Sequence, residues 1–98
     1  MNDNLIPAVI QNDKTGDVLM VGYMNTDALI KTKKTGYVWF WSRSKQRLWK
    51  KGETSGNMLR VKGIYRDCDD DAFLIRVDPT GPTCHTGNTT CFYRKDTI

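Results

Sequence analysis

The chain has 98 residues, with 15 Lys and Arg against 11 Asp and Glu, for a net charge of +4. That length makes one domain, residues 1–98, and a domain of this size buries only about 60–70% of the surface its unfolded chain exposes. No apolar run approaches the roughly 18 residues of a bilayer span and Met1-Asn2-Asp3-Asn4 is no signal peptide, so a cytoplasmic location is expected.

Pro7 to Gln11 and Val18 to Tyr23 are short apolar runs around Asn12-Asp13-Lys14-Thr15-Gly16-Asp17, a polar connector containing glycine, and this order predicts a β-hairpin. Asn25 suits a helix N-cap, Asp27 the positive end, Lys33 and Lys34 the negative end, and Gly36 the stop. Tyr37-Val38-Trp39-Phe40-Trp41 is aromatic and β-branched and reads as a central strand, with Arg47 to Lys51 as its partner. Gly52 to Asn57 reads as a loop. Leu59 to Asp67 and Ala72 to Asp78 form a second antiparallel pair around an acidic segment, Pro79 to Asn88 is irregular, and Thr90 to Arg94 is expected to return as a last strand. The class is α+β, mostly antiparallel sheet with one or two short helices.

Charge is uneven along the chain. From Lys31 to Lys51 there are Lys and Arg residues but no Asp or Glu, which suits either an anionic partner or a solvated basic face. Carboxylates gather instead in Asp67-Cys68-Asp69-Asp70-Asp71. If this run is extended, Asp67, Asp69 and Asp71 share one face with Cys68 on the other. Neighbouring carboxylates about 7 Å apart at an effective dielectric of 20 repel by roughly 2–3 kcal/mol. A divalent cation uses that repulsion; a solvated turn screens it.

Three cysteines are an odd number, so they cannot all pair within one chain, and in a reducing compartment they read as thiolate ligands or as inert buried thiols. Cys84 adjoins His85, the only histidine, and six residues separate Cys84 from Cys91. Three protein ligands with one open position is the pattern of a catalytic zinc; a structural site closes with a fourth ligand, for which His85 is the imidazole available. Soft sulfur and hard oxygen donors together suggest zinc for the first and magnesium or a similar ion for the second. Trp41 to Asn57 adds cations, hydroxyls and glycines suited to phosphate, with Trp41 and Trp49 able to stack on a base; taken alone, it also reads as a sheet with one solvated face.

Five blocks, Val18–Asn25, Trp41–Ser44, Leu48–Asn57, Asp67–Asp71 and Gly81–Phe92, occur in an order that closely resembles the phosphoribosyl-AMP cyclohydrolase family of histidine biosynthesis. The resemblance implies an intertwined homodimer with metal sites near its interface. It implies zinc at Cys68, Cys84 and Cys91, contributed by both subunits, and magnesium at Asp67, Asp69 and Asp71. The implied reaction is addition of zinc-activated water at C6 of an N1-ribosylated adenine and rupture of the N1–C6 bond. His85 is expected to orient that water or carry its proton, and Ser42, Arg43, Ser44, Lys51 and Ser55 to hold the substrate.

Compared with the family pattern, the N-terminal extension is short or absent and no phosphoribosyl-ATP pyrophosphohydrolase domain follows, so a single reaction step is expected. The competing reading is a small zinc-stabilised nucleic-acid-binding module that uses its Trp-bearing basic strands for stacking. It leaves Asp67, Asp69 and Asp71 without a purpose, since carboxylates repel a phosphate backbone. Neither nucleic acid nor membrane is the expected partner.

Overall fold

A computed structural model describes residues 4–98. The elements in chain order are β1 (Ile6–Asn12), β2 (Val18–Met24), α1 (Thr26–Thr35), β3 (Trp39–Ser42), β4 (Arg47–Lys50), β5 (Leu59–Arg66) and β6 (Phe73–Pro79). Among the described residues no helix is long and apolar enough to cross a membrane.

The hairpin expected at the start forms because Asn12 organises its turn. Its side-chain oxygen accepts from the Lys14 and Thr15 amides at 2.9 and 3.2 Å, and Gly16 takes the positive φ of 80° that closes the turn. Helix α1 likewise follows its local code. Asn25 Oδ1 accepts from the Ala28 amide at 2.9 Å, and Gly36 ends the helix at φ 78° with its amide on the Thr32 carbonyl.

The main sheet runs β2-β1-β6-β5. Its outer pairs are antiparallel, but β1 and β6 are parallel, with Ala8 opposite Phe73 and Ile10 opposite Ile75. The sheet is therefore mixed. A parallel pair needs a long crossover, and the chain from β2 through β5 provides it. Alternate residues Ala8, Ile10, Phe73, Ile75 and Val77 turn to one buried face, where they meet Ala28 of α1 together with Val38 and Phe40. Full burial of each large apolar side chain contributes about 1.5–3 kcal/mol.

Strand β3 departs from the sequence expectation. It is not central to the main sheet but pairs only with β4, Trp41 opposite Leu48. The segment before it hydrogen-bonds to the main sheet, where the Val38 amide donates to Leu59 and the Val61 amide to Gly36. The aromatic run instead joins the two sheets: Phe40 is completely buried and its ring occupies the space a Cβ on Gly22 would take. Buried Thr32 fixes α1 to the same strand. Its hydroxyl donates to the Ala28 carbonyl at 2.8 Å and accepts from the Trp39 amide at 3.0 Å.

Of the two geometries open to the acidic run the turn is the one adopted, and one expectation is corrected. Residues 68–71 are a turn: Asp67 Oδ1 accepts from the Asp71 amide at 3.0 Å, and Asp70 takes φ 57°. Thr90 to Arg94 form no strand. The Thr90 hydroxyl donates to the Val18 carbonyl at 2.6 Å and the Cys91 amide to Leu19 at 2.8 Å, and these ties replace a ladder.

Candidate active site

The Gly81–Phe92 segment folds on itself. The Thr83 amide donates to Thr89, the Cys84 amide to Asn88 and the Gly87 amide to Cys84, with Gly87 at φ 91°. Asn88 Nδ2 reaches the Thr86 hydroxyl at 2.7 Å, and that hydroxyl donates to Cys84 Sγ at 3.1 Å. The tie from Cys91 to Leu19 then brings the second thiol beside the first. Hydrogen bonds from Thr86, with a smaller contribution from the Lys51 charge, hold the Cys84 thiol below its ordinary range. Partial desolvation, reinforced by Cys84, pushes the thiol of Cys91, itself an exposed residue, above it. Two neighbouring thiols, one of them acidified, are soft donors of the kind a soft metal takes.

The thiol segment forms one wall of a cavity of about 530 Å³. Cys84, His85 and Thr83 line this side, and Ser42, Trp49, Lys51 and Ser55 line the other. Close backbone contact holds the walls together: a Cβ on Gly81 would strike the Asn57 side chain, and the Thr80 hydroxyl accepts from the Met58 amide at 2.8 Å. Four lining cations, Lys45, Arg47, Lys50 and Lys51, face a single lining carboxylate, Glu53. Such a cavity attracts anions.

Not every expected substrate residue enters it. Arg43 and Ser44 line a neighbouring groove against Val21 and Tyr23, and the Arg43 guanidinium lies 4.1 Å from the Tyr23 ring centre. Ser42 and Trp49 border both spaces. The β3–β4 turn explains the split: the Lys45 amide donates to Ser42 Oγ at 3.2 Å, and Gln46 takes φ 52°.

Asp67, Asp69 and Asp71 stand on the β5–β6 turn and line neither space. Despite the lost extended geometry, one oxygen from each lies within 4.8 Å of the others. The Asp71 hydrogen bond holds the Asp67 carboxyl below the usual range, and Asp67 in turn pushes Asp71 above it. Exposed Cys68 shares this turn, and among the described residues it belongs to no metal-competent group with Cys84 and Cys91. Sequence reasoning overlooked Thr83, whose buried hydroxyl has no partner among the described residues, and Glu53 as an individual cavity residue. Glu53 did leave a signal, as the one acidic residue between Lys31 and Tyr65.

Fold and cavity together define a small α+β domain with an anion-attracting pocket, thiols on one wall and a separate carboxylate cluster. The family model described as phosphoribosyl-AMP cyclohydrolase matches residues 20–93. A "Histidine biosynthesis bifunctional protein HisIE" of Photobacterium profundum is 61% identical over 90 residues, which cover 92% of this chain and 44% of that protein. A "Phosphoribosyl-AMP cyclohydrolase" of Listeria innocua is 56% identical over 89 residues, covering 91% of this chain and 85% of the relative. One of the same name from Lacticaseibacillus casei is 56% identical over 92 residues, covering 94% and 84%. The chain spans less than half the length of the bifunctional relatives. It belongs to the phosphoribosyl-AMP cyclohydrolase family.

Proposed function

We propose that this chain opens the adenine ring of 1-(5-phosphoribosyl)-AMP by hydrolysis, as a step of histidine biosynthesis. Water oxygen bonds to C6, the N1–C6 bond breaks, N1 leaves with a proton, and the product is the formimino-linked aminoimidazole carboxamide ribotide. The observation carrying this reading is the cavity in which Cys84 and His85 face Lys51, Ser55 and Trp49. A nucleotide needs cations for phosphate and an aromatic face for the base, and this cavity offers both beside the thiols.

The donor sets fit the implied metals. Cys84 and Cys91 suit zinc, and three clustered carboxylates suit magnesium. When bound, zinc would make a water molecule acidic enough to ionise near neutral pH. His85, exposed beside Cys84 on the cavity wall, accepts the proton of the attacking water and returns it to N1. Lys51 and the Ser55 hydroxyl hold one phosphate. Arg43 and Ser44 hold the other from the adjoining groove, with Trp49 between the two spaces.

A second subunit completes the zinc set in this reading. Cys68 stands apart from the thiol pair, and Phe92 and Tyr93, immediately after Cys91, are exposed apolar residues of the kind a partner covers. Thiols serving as ligands must stay reduced, which suits the cytoplasm. The test is an ultraviolet assay of ring opening on phosphoribosyl-AMP, with oligonucleotide binding measured in parallel. Turnover without tight oligonucleotide binding is expected; an intact purine alongside tight oligonucleotide binding would overturn the proposal.

A further inference from the structure

Glu53 is an acidic residue set among phosphate-attracting cations, and a phosphate alone gives no reason for it. A carboxylate repels phosphate and can only accept hydrogen bonds. Its pairing with Arg47 gives little reason either. The Arg47 Nη2 to Glu53 Oε1 contact is 3.1 Å, but half of the Arg47 side chain and over a third of that of Glu53 are exposed, and such pairs contribute about 0–1 kcal/mol.

The local structure nevertheless holds Glu53 firmly. The Glu53 amide donates to the Lys50 carbonyl at 3.0 Å and the Gly56 amide to Gly52 at 2.8 Å. Gly52 sits at φ 88° against the Asn57 backbone, where no larger residue fits. Arg47 is itself held by its own bond from Nη1 to the Leu48 carbonyl at 2.9 Å. One carboxylate oxygen thereby faces Arg47. The other, Oε2, has no hydrogen-bond partner among the described residues and belongs to a side chain that lines the cavity.

We infer that Glu53 Oε2 accepts hydrogen bonds from the ribose 2′- and 3′-hydroxyls of the AMP unit, and so selects ribonucleotide over deoxynucleotide. The inference rests on the nucleotide reading of the cavity. In a nucleotide, ribose is the group joined directly to the phosphate, so an acceptor placed among phosphate-binding cations meets its hydroxyls. Trp49 in the same cavity supplies the face for the attached purine. Ribose hydroxyls are donors that a carboxylate holds well, and bonds to a charged acceptor are stronger than neutral ones.

Calorimetric binding of AMP and of 2′,3′-dideoxy-AMP to the full chain tests the assignment, alongside turnover of phosphoribosyl-AMP. Wild type is expected to prefer AMP about ten-fold or more, the preference to vanish in Glu53→Ala and to shrink in Glu53→Gln. A purely structural role for Glu53 would weaken both nucleotides equally and leave the preference standing, which overturns the inference. So does a wild-type protein that turns over phosphoribosyl-AMP yet binds the two probes alike, with the parent reading intact. Absence of both turnover and nucleotide binding overturns both.

Discussion

The Arg43 guanidinium lies over the Tyr23 ring, 4.1 Å from its centre, and so occupies a groove beside the Cys84 cavity. A cation stacked on an aromatic face keeps its hydrogen-bond donors directed outward from its edge. In the proposed reaction Arg43 therefore binds phosphate at a distance from the reacting carbon. Arg43→Ala is expected to raise KM about ten-fold with little change in kcat, because uniform binding is lost. Steady-state kinetics checks this; an unchanged KM rejects the role.

His85 should behave in the opposite way. Loss of a proton-transferring side chain costs about 100-fold or more in rate. His85→Ala is expected to lower kcat by that order while metal analysis finds normal zinc. Near wild-type kcat with normal zinc contradicts the assignment.

The contact of Phe40 with Gly22 predicts a stability effect without a catalytic cause. A methyl group at Gly22 overlaps the buried ring, and overpacking of this kind costs about 1–3 kcal/mol. Gly22→Ala should lower the urea midpoint accordingly, and Phe40→Leu in the same chain should relieve part of the added strain. Equal midpoints for wild type and Gly22→Ala would show that the two strands separate freely.

Magnesium binding should depend on pH through Asp71. Its hydrogen bond with Asp67 raises it above the ordinary carboxylate range, so it is the first of the pair to take a proton as the pH falls. Protonated Asp71 offers no anionic oxygen to a cation. Affinity is thus full above that titration and declines as pH drops through it, with proton release on binding inside this window. Calorimetric magnesium titrations across pH check the sign, and Asp71→Asn should remove the step. Affinity that rises on acidification contradicts it.

The parts of the fold written in short-range signals were readable from the residues. Asn25, Asp27, Lys33, Lys34 and Gly36 marked both ends of α1, and Asn12 with Gly16 marked the first turn. The parallel pairing of β1 with β6 was not readable, because it joins residues such as Ile10 and Ile75 that are distant in the chain. Alternation of buried residues identifies a strand but not its neighbour. Asp67 to Asp71 left extended chain and turn both open, and a local bond decides between them: the Asp67 side chain satisfies the Asp71 amide, which favours the turn. The carboxylates still cluster, so their proximity was legible even though their local geometry was not.

The candidate site divided in the same way. Cys84, His85, Lys51 and Ser55 were named from sequence and share one cavity. Arg43 and Ser44 were named with them, but the side on which each emerges depends on the β3–β4 turn, where Gln46 adopts positive φ. Nothing in a linear pattern distinguishes Ser42 from Arg43 in this respect.

Metal dependence of ring opening is the most direct measurement of the central claim. The purified chain, stripped of metal with a chelator and assayed on phosphoribosyl-AMP, should lose turnover and regain it when zinc is restored, whereas Cys84→Ser should regain none. Full turnover by the stripped protein would contradict thiol-held metal chemistry at this site.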